Sequence, residues 1–107
     1  MKRVLFICGR NRLRSPTAEQ LFATWPDLEV SSAGPNPDAD TPLTAEMVEE
    51  ADLVFVMERA QKAKLSKRFG AWLTRSRVIC LDIPDNYAFM DPALISLLRT
   101  KVTPFLR

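Results

Sequence analysis

The sequence predicts an α/β fold, a three-layer sandwich in which a four-stranded parallel sheet carries helices on both faces. Three observations predict it. Strand-like and helix-like segments alternate along the chain in the order β-α-β-α-β-α-β-α. The strand-like segments are continuous apolar runs, which suit strands buried on both faces. The 107 residues hold no internal repeat and no linker-like stretch, so residues 1–107 are expected to form one domain around one core.

The first expected strand is 2–8, apolar after its two leading bases and β-branched at Val4 and Ile7. A helix is expected over 15–25, where Ser15 and Pro16 read as the N-cap and the first helical residue. A short second strand covers 28–32. Gly34-Pro35-Asn36-Pro37-Asp38 is a loop, because glycine and proline oppose regular structure there. The helix expected over 44–51 opens on Thr44 and carries Glu46 in its first turn, where the macrodipole favours an acid. Leu53-Val54-Phe55-Val56-Met57 is the third strand. A basic amphipathic helix follows over 60–73, with Phe69 and Trp72 suited to its buried face. The fourth strand is 78–81, and the last helix, 91–102, opens with Asp91-Pro92, again a cap followed by proline.

Composition removes several classes. At 47% hydrophobic and 26% charged residues, the chain is neither disordered nor of low complexity. No apolar run approaches the roughly 18 residues of a membrane span, and Val4–Cys8 is too short for a secretory signal. Two cysteines do not staple a secreted fold, so a soluble, cytoplasmic protein with reduced thiols is expected. Histidine is absent, which excludes histidine triads, histidine metal sites and a histidine acid or base. The net charge of +2 hides a segregated distribution: nine acids and no base over 27–58, seven bases and no acid over 59–77. Both stretches read first as solvated faces. The bases Arg10, Arg12 and Arg14 differ, because they crowd around a cysteine.

Ligands of open α/β sheets sit beyond the carboxyl ends of the strands. There the chain reads Cys8-Gly9-Arg10-Asn11-Arg12-Leu13-Arg14-Ser15-Pro16 and runs into a helix. A short strand-to-helix loop curls its N–H groups into an anion nest, and the helix N-terminus adds positive potential. Arg14 closes the ring and can grip two phosphate oxygens at once. The same field favours the thiolate of Cys8 over the thiol, and Ser15 can donate a further hydrogen bond to the sulfur. The pattern predicts in-line attack of Cys8 on phosphorus, with a phosphocysteine that water later hydrolyses. A lone strand-end cysteine would be ordinary core, and Cys80, inside an apolar run, is read that way.

A leaving phenolate needs a proton, and without histidine a carboxylic acid must supply it. Asp82, Asp85 and Asp91 follow the last strand. Asp85 is the preferred acid. Asp91 is better explained as the cap before Pro92, and Asp82 as a ligand of loop N–H groups. Tyr87 can stack on an aromatic substrate or simply pack.

At these residues the chain resembles the low-molecular-weight protein tyrosine phosphatases. The matching pieces are Val4-Leu5-Phe6-Ile7-Cys8, Asn11, Arg14-Ser15-Pro16-Thr17-Ala18-Glu19, Ser32-Ala33-Gly34, 51–57 and Ile83-Pro84-Asp85-Asn86-Tyr87. The resemblance implies a sheet order of 2-1-3-4. It also implies Cys8 as nucleophile, Arg14 as phosphate ligand, Asn11 and Ser15 as supports of the loop and thiolate, and no need for a metal. Where the family has an Asp-Pro-Tyr motif this chain has Asp85-Asn86-Tyr87, so Asp85 inherits the acid and Tyr87 the pocket wall. Three loop positions depart. Leu13 stands where a second cysteine is frequent, which removes a disulfide within the loop. Arg10 stands where glycine is usual. Arg12 stands at an often apolar position and favours acidic surroundings on the substrate. The chain is also short between Gly34 and Ala51, which implies a more open site or a different substrate.

The reading that follows is phosphomonoester hydrolysis on a phosphotyrosine protein or a small aryl phosphate. Its substrate-binding set is Gly9, Arg10, Asn11, Arg12, Leu13, Ser15 and Tyr87, and no cofactor, membrane or nucleic-acid partner is expected. An arsenate reductase would need relay cysteines, and only Cys80 is at hand. A phospho-relay or phosphopeptide-binding module would show no multiple turnover, and a sugar-transport phosphocarrier would not need Arg14. RNA binding through 59–77 would show as salt-dependent affinity.

Overall fold

The structure is a computed structural model that describes residues 2–8, 13–35, 39–73 and 76–106. Its strands are β1 (Lys2–Ile7), β2 (Leu28–Ala33), β3 (Leu53–Val56) and β4 (Arg77–Cys80). Its helices are α1 (Arg14–Phe22), α2 (Ala45–Glu50), α3 (Arg59–Phe69) and α4 (Pro92–Leu106), with one 3₁₀ turn, Gly70–Trp72, after α3. All strand pairs are parallel and the order is β2-β1-β3-β4, as the resemblance implies.

Period-two alternation assigns each strand residue to a side. Val4, Phe6 and Cys8 of β1 and Leu53, Phe55 and Met57 around β3 pack with Ala18 and Phe22 of α1 and Leu94, Leu98 and Val102 of α4. Leu5, Ile7, Val54 and Val56 pack on the other face with Val48 of α2 and Leu65 and Phe69 of α3. The central strands therefore need apolar residues at every position. The edge strand β4 does not, and its residues are only half-buried or exposed although the run reads as apolar throughout.

The helix ends differ from expectation in instructive ways. Thr44 caps α2 as expected, accepting from Met47 N at 3.2 Å. Asp91 accepts from Ala93 N at 2.9 Å and so caps α4. Ser15 is not a cap. Helix α1 begins at Arg14 after Leu13, and the Ser15 hydroxyl turns to Cys8 instead. Pro16 tolerates this because first-turn amides have no intrahelical acceptor anyway. The helix stops at Phe22, ahead of Pro26 and the left-handed Asp27. Helix α4 runs past Pro104, where Phe105 packs edge-on against Phe55 at 5.9 Å and under the Arg77 guanidinium at 5.3 Å. The basic helix ends at Phe69, so Trp72 lies on the 3₁₀ turn and is 40% exposed rather than buried.

Phe6 stacks between Phe22 at 5.8 Å and Phe55 at 5.3 Å, and joins α1 to both central strands. Phe6→Ala is expected to cost about 3–5 kcal/mol of stability, read from the midpoint of urea unfolding.

Candidate active site

The carboxyl ends of β1 and β3 and the segment after β4 meet at the start of α1. Cys8 leaves β1 buried, with its amide bonded to Ala33 O at 3.3 Å. Its sulfur lies 2.9 Å from Ser15 Oγ and accepts the Ser15 N–H at 3.5 Å. A backbone amide of the first turn of α1 is thus aimed at the sulfur, where the macrodipole adds to it. Ser15 is fully buried.

Arg14 is the first residue of α1, and its side chain is only 5% exposed. Its Nη1 donates to Glu58 Oε1 at 2.5 Å and to Ile83 O at 2.8 Å, and its Nε lies 3.6 Å from Asp85 Oδ1. Ile83 O reaches this point because the chain beyond β4 stays alongside β3: Leu81 N bonds Val56 O at 2.8 Å and Ile83 N bonds Met57 O at 2.9 Å. The geometry therefore pairs Cys8 with Ser15 and Arg14 with Asp85, on two successive residues at the start of α1. Gly9, Arg10, Asn11 and Arg12 lie outside the described residues. Leu13 is 39% exposed, and its carbonyl accepts from the Thr17 amide and hydroxyl.

The three aspartates separate cleanly. Asp85 has a 62% exposed carboxylate beside the arginine. Asp91 is engaged as a cap. Asp82 lies in the left-handed region. Its carboxylate accepts from Cys80 Sγ at 3.5 Å and lies 3.9 Å from Arg59 Nε. Tyr87 is half-buried and packs against the core on the α1–α4 side. Cys80 packs against the opposite core, with β3 between it and β1. Among the described residues no group of three or more Cys, Asp, Glu or His side chains could hold a metal ion, and no helix is long and apolar enough to cross a membrane.

Two residues were passed over by sequence reasoning. Glu58 was counted within an acidic stretch read as solvated, yet it directly follows β3 at the ligand edge, and the strand-end rule would have flagged it. Thr17 gives no sequence signal. It is buried, donates to Leu13 O at 2.7 Å and accepts from Met90 N at 3.0 Å, which pins the segment after Tyr87 to α1.

No family model matches the chain. It is 32% identical over 105 residues to a protein-arginine-phosphatase of Bacillus subtilis, spanning 73% of this chain and 69% of that protein. The crystal structure of a YwlE mutant from Bacillus subtilis matches all of both chains with a TM-score of 0.76 at 25% identity. The tyrosine phosphatase Wzb from Escherichia coli K30, in complex with phosphate, matches 97% of this chain and 95% of its own at 22% identity and a TM-score of 0.76. The chain belongs to the low-molecular-weight protein tyrosine phosphatase family. Membership makes it a phosphatase of this fold, and the family's four-stranded order is the one the strands adopt.

Replacing the Thr17 hydroxyl in this phosphatase leaves the half-buried Met90 amide without its acceptor. Thr17→Val is expected to cost about 1–3 kcal/mol, measured by urea unfolding.

Proposed function

We propose that the chain hydrolyses aryl phosphomonoesters, phosphotyrosine in protein above all, through a phosphocysteine on Cys8. The observation that carries this reading is the sulfur of Cys8, held by the Ser15 amide and hydroxyl at the start of a helix whose first residue is a buried arginine. An anion is stabilised there, whether thiolate or phosphate.

In the proposed sequence the Cys8 thiolate attacks phosphorus in line. The S–P bond forms as the P–O bond to the leaving group breaks, and Asp85 gives its proton to the departing oxygen. Arg14 and the N–H groups of the loop from Gly9 to Leu13 stabilise the equatorial oxygens, with Asn11 supporting the loop. Water then attacks the phosphocysteine, Asp85 takes the water's proton, and phosphate and the thiolate are released. Asp85 suits both steps because it combines solvent exposure with closeness to Arg14. Tyr87 walls the pocket in this reading.

A second reading is phosphoarginine hydrolysis, favoured by the 32% identity to a protein-arginine-phosphatase. The loop composition supports the first. Arg10 and Arg12 give the loop sequence two further positive charges, which disfavour a cationic guanidinium leaving group and tolerate a phenol. Disulfide-relayed arsenate reduction gains no support, because Cys80 packs on the face of the sheet opposite to Cys8.

Wild-type protein is expected to turn over para-nitrophenyl phosphate, Cys8→Ser to lose turnover altogether, and Asp85→Asn to slow phosphotyrosine hydrolysis about 10²-fold or more. Activity retained in the Cys8 variant would end the reading. On peptides of one sequence carrying either group, kcat/KM for phosphotyrosine should exceed that for phosphoarginine at least about tenfold. The reverse ratio selects the second reading.

A further inference from the structure

We propose that Glu58 is the positioning residue of Arg14: its carboxylate orients the guanidinium and offsets part of its charge, and so sets how tightly the site holds an oxyanion. The inference rests on the reading of Arg14 as the phosphate ligand.

A guanidinium as buried as that of Arg14 must be paired. Of its two carboxylate neighbours, Asp85 is loose, at 3.6 Å and largely in solvent, whereas Glu58 makes a hydrogen-bonded contact at 2.5 Å. Glu58 is itself fixed. As the residue before α3 it forms a capping box, accepting the Gln61 amide on its side chain while Gln61 Oε1 accepts from Glu58 N at 3.1 Å. Gln61 is buried and also accepts from Met57 N at 2.8 Å, so the whole turn is anchored to the end of β3. Arg14 Nη1 is thereby occupied by Glu58 and Ile83 O, and Nε faces Asp85. Nη2 has no partner among the described residues and is the edge left for an oxyanion.

Two effects follow, and they separate by substitution. The carboxylate opposes a dianion gripped by the same guanidinium, so removing its charge while keeping an acceptor tightens oxyanion binding. Removing the acceptor frees the guanidinium to turn away from the transition state, which slows turnover. The capping role is separable too. Aspartate is a strong N-cap but one methylene shorter, so Glu58→Asp keeps α3 capped and withdraws the carboxylate from Arg14.

The test compares wild type with Glu58→Gln, Glu58→Asp and Glu58→Ala on para-nitrophenyl phosphate, with inorganic phosphate and vanadate as competitive inhibitors and circular dichroism as the check on folding. Glu58→Gln is expected to make phosphate inhibit at least about threefold more tightly. Glu58→Asp is expected to keep the wild-type melting curve and lose about tenfold or more in kcat. Glu58→Ala should lose kcat similarly, and if it fails to fold the aspartate variant decides. An active wild type whose folded Glu58→Asp and Glu58→Gln variants match it in kcat and in phosphate inhibition overturns the inference alone. A wild type that neither turns over the substrate nor binds vanadate overturns the reading of Arg14, and the inference with it.

Discussion

A guanidinium taken out of water and left unpaired costs several kcal/mol, and this constraint organises the carboxyl edge of the sheet. Arg14 comes from the chain leaving β1, Glu58 from the chain leaving β3, and the Ile83 carbonyl from the chain leaving β4. None of the three could sit where it does in another strand order. With β1 and β3 adjacent, Arg14 and Glu58 emerge side by side. With β4 next to β3, the segment past Cys80 can keep pairing with Val56 and Met57 until Ile83 reaches the arginine. The left-handed backbone at Asp82 lies within that pairing stretch.

The same alternation that fills the core decides what chemistry the cysteines can share. Even positions of β1 face α1 and α4, so Cys8 meets Ser15 of α1. Cys80 ends an edge strand and packs toward α2 and α3. Its thiol hydrogen-bonds Asp82, and the whole of β3 stands between the two sulfurs. A sulfur placed this way has an amide and a hydroxyl for neighbours rather than a second thiol, which gives a thiol relay no second sulfur.

Every strand is legible in the sequence because apolar runs of this length carry a strong signal; the alternation with helices gives the parallel sense, and the order comes from the family resemblance. The exceptions share a cause. Ser15 carries the signature of a cap, but a cysteine seven residues earlier competes for its hydroxyl, and that competitor becomes visible only once β1 and α1 are placed together. Trp72 fits the apolar face of an ideal helix, yet the helix gives way to a 3₁₀ turn at Gly70 and rotates it outward. Glu58 belongs to two networks at once, a cap and an ion pair, and only the cap is local. Its partner lies 44 residues away. That Cys8, Arg14 and Asp85 lie on the segments beyond the strand ends was legible, because topology rather than packing detail puts those segments on one edge of the sheet.

The described residues of the short stretch between Gly34 and Ala51 are tied back on themselves: Gly34 N donates to Thr41 O at 2.9 Å, Leu43 N donates back to Gly34 O at 2.8 Å, and Ala39 and Leu43 are buried. Arg68 of α3 donates to the Pro35 carbonyl and draws the loop over the sheet. A cavity of about 310 Å³ lies between β1, β2 and α2, lined by Val4, Leu5, Ser31, Met47 and Ala51 and edged by Arg3 with Glu29 and Glu50. That cavity flanks the amino-terminal half of β1, whereas Cys8 follows its carboxyl end. The cavity and the carboxyl edge thus lie toward opposite ends of β1, and the edge is held by hydrogen bonds among the chain leaving β1, β3 and β4 rather than by α2.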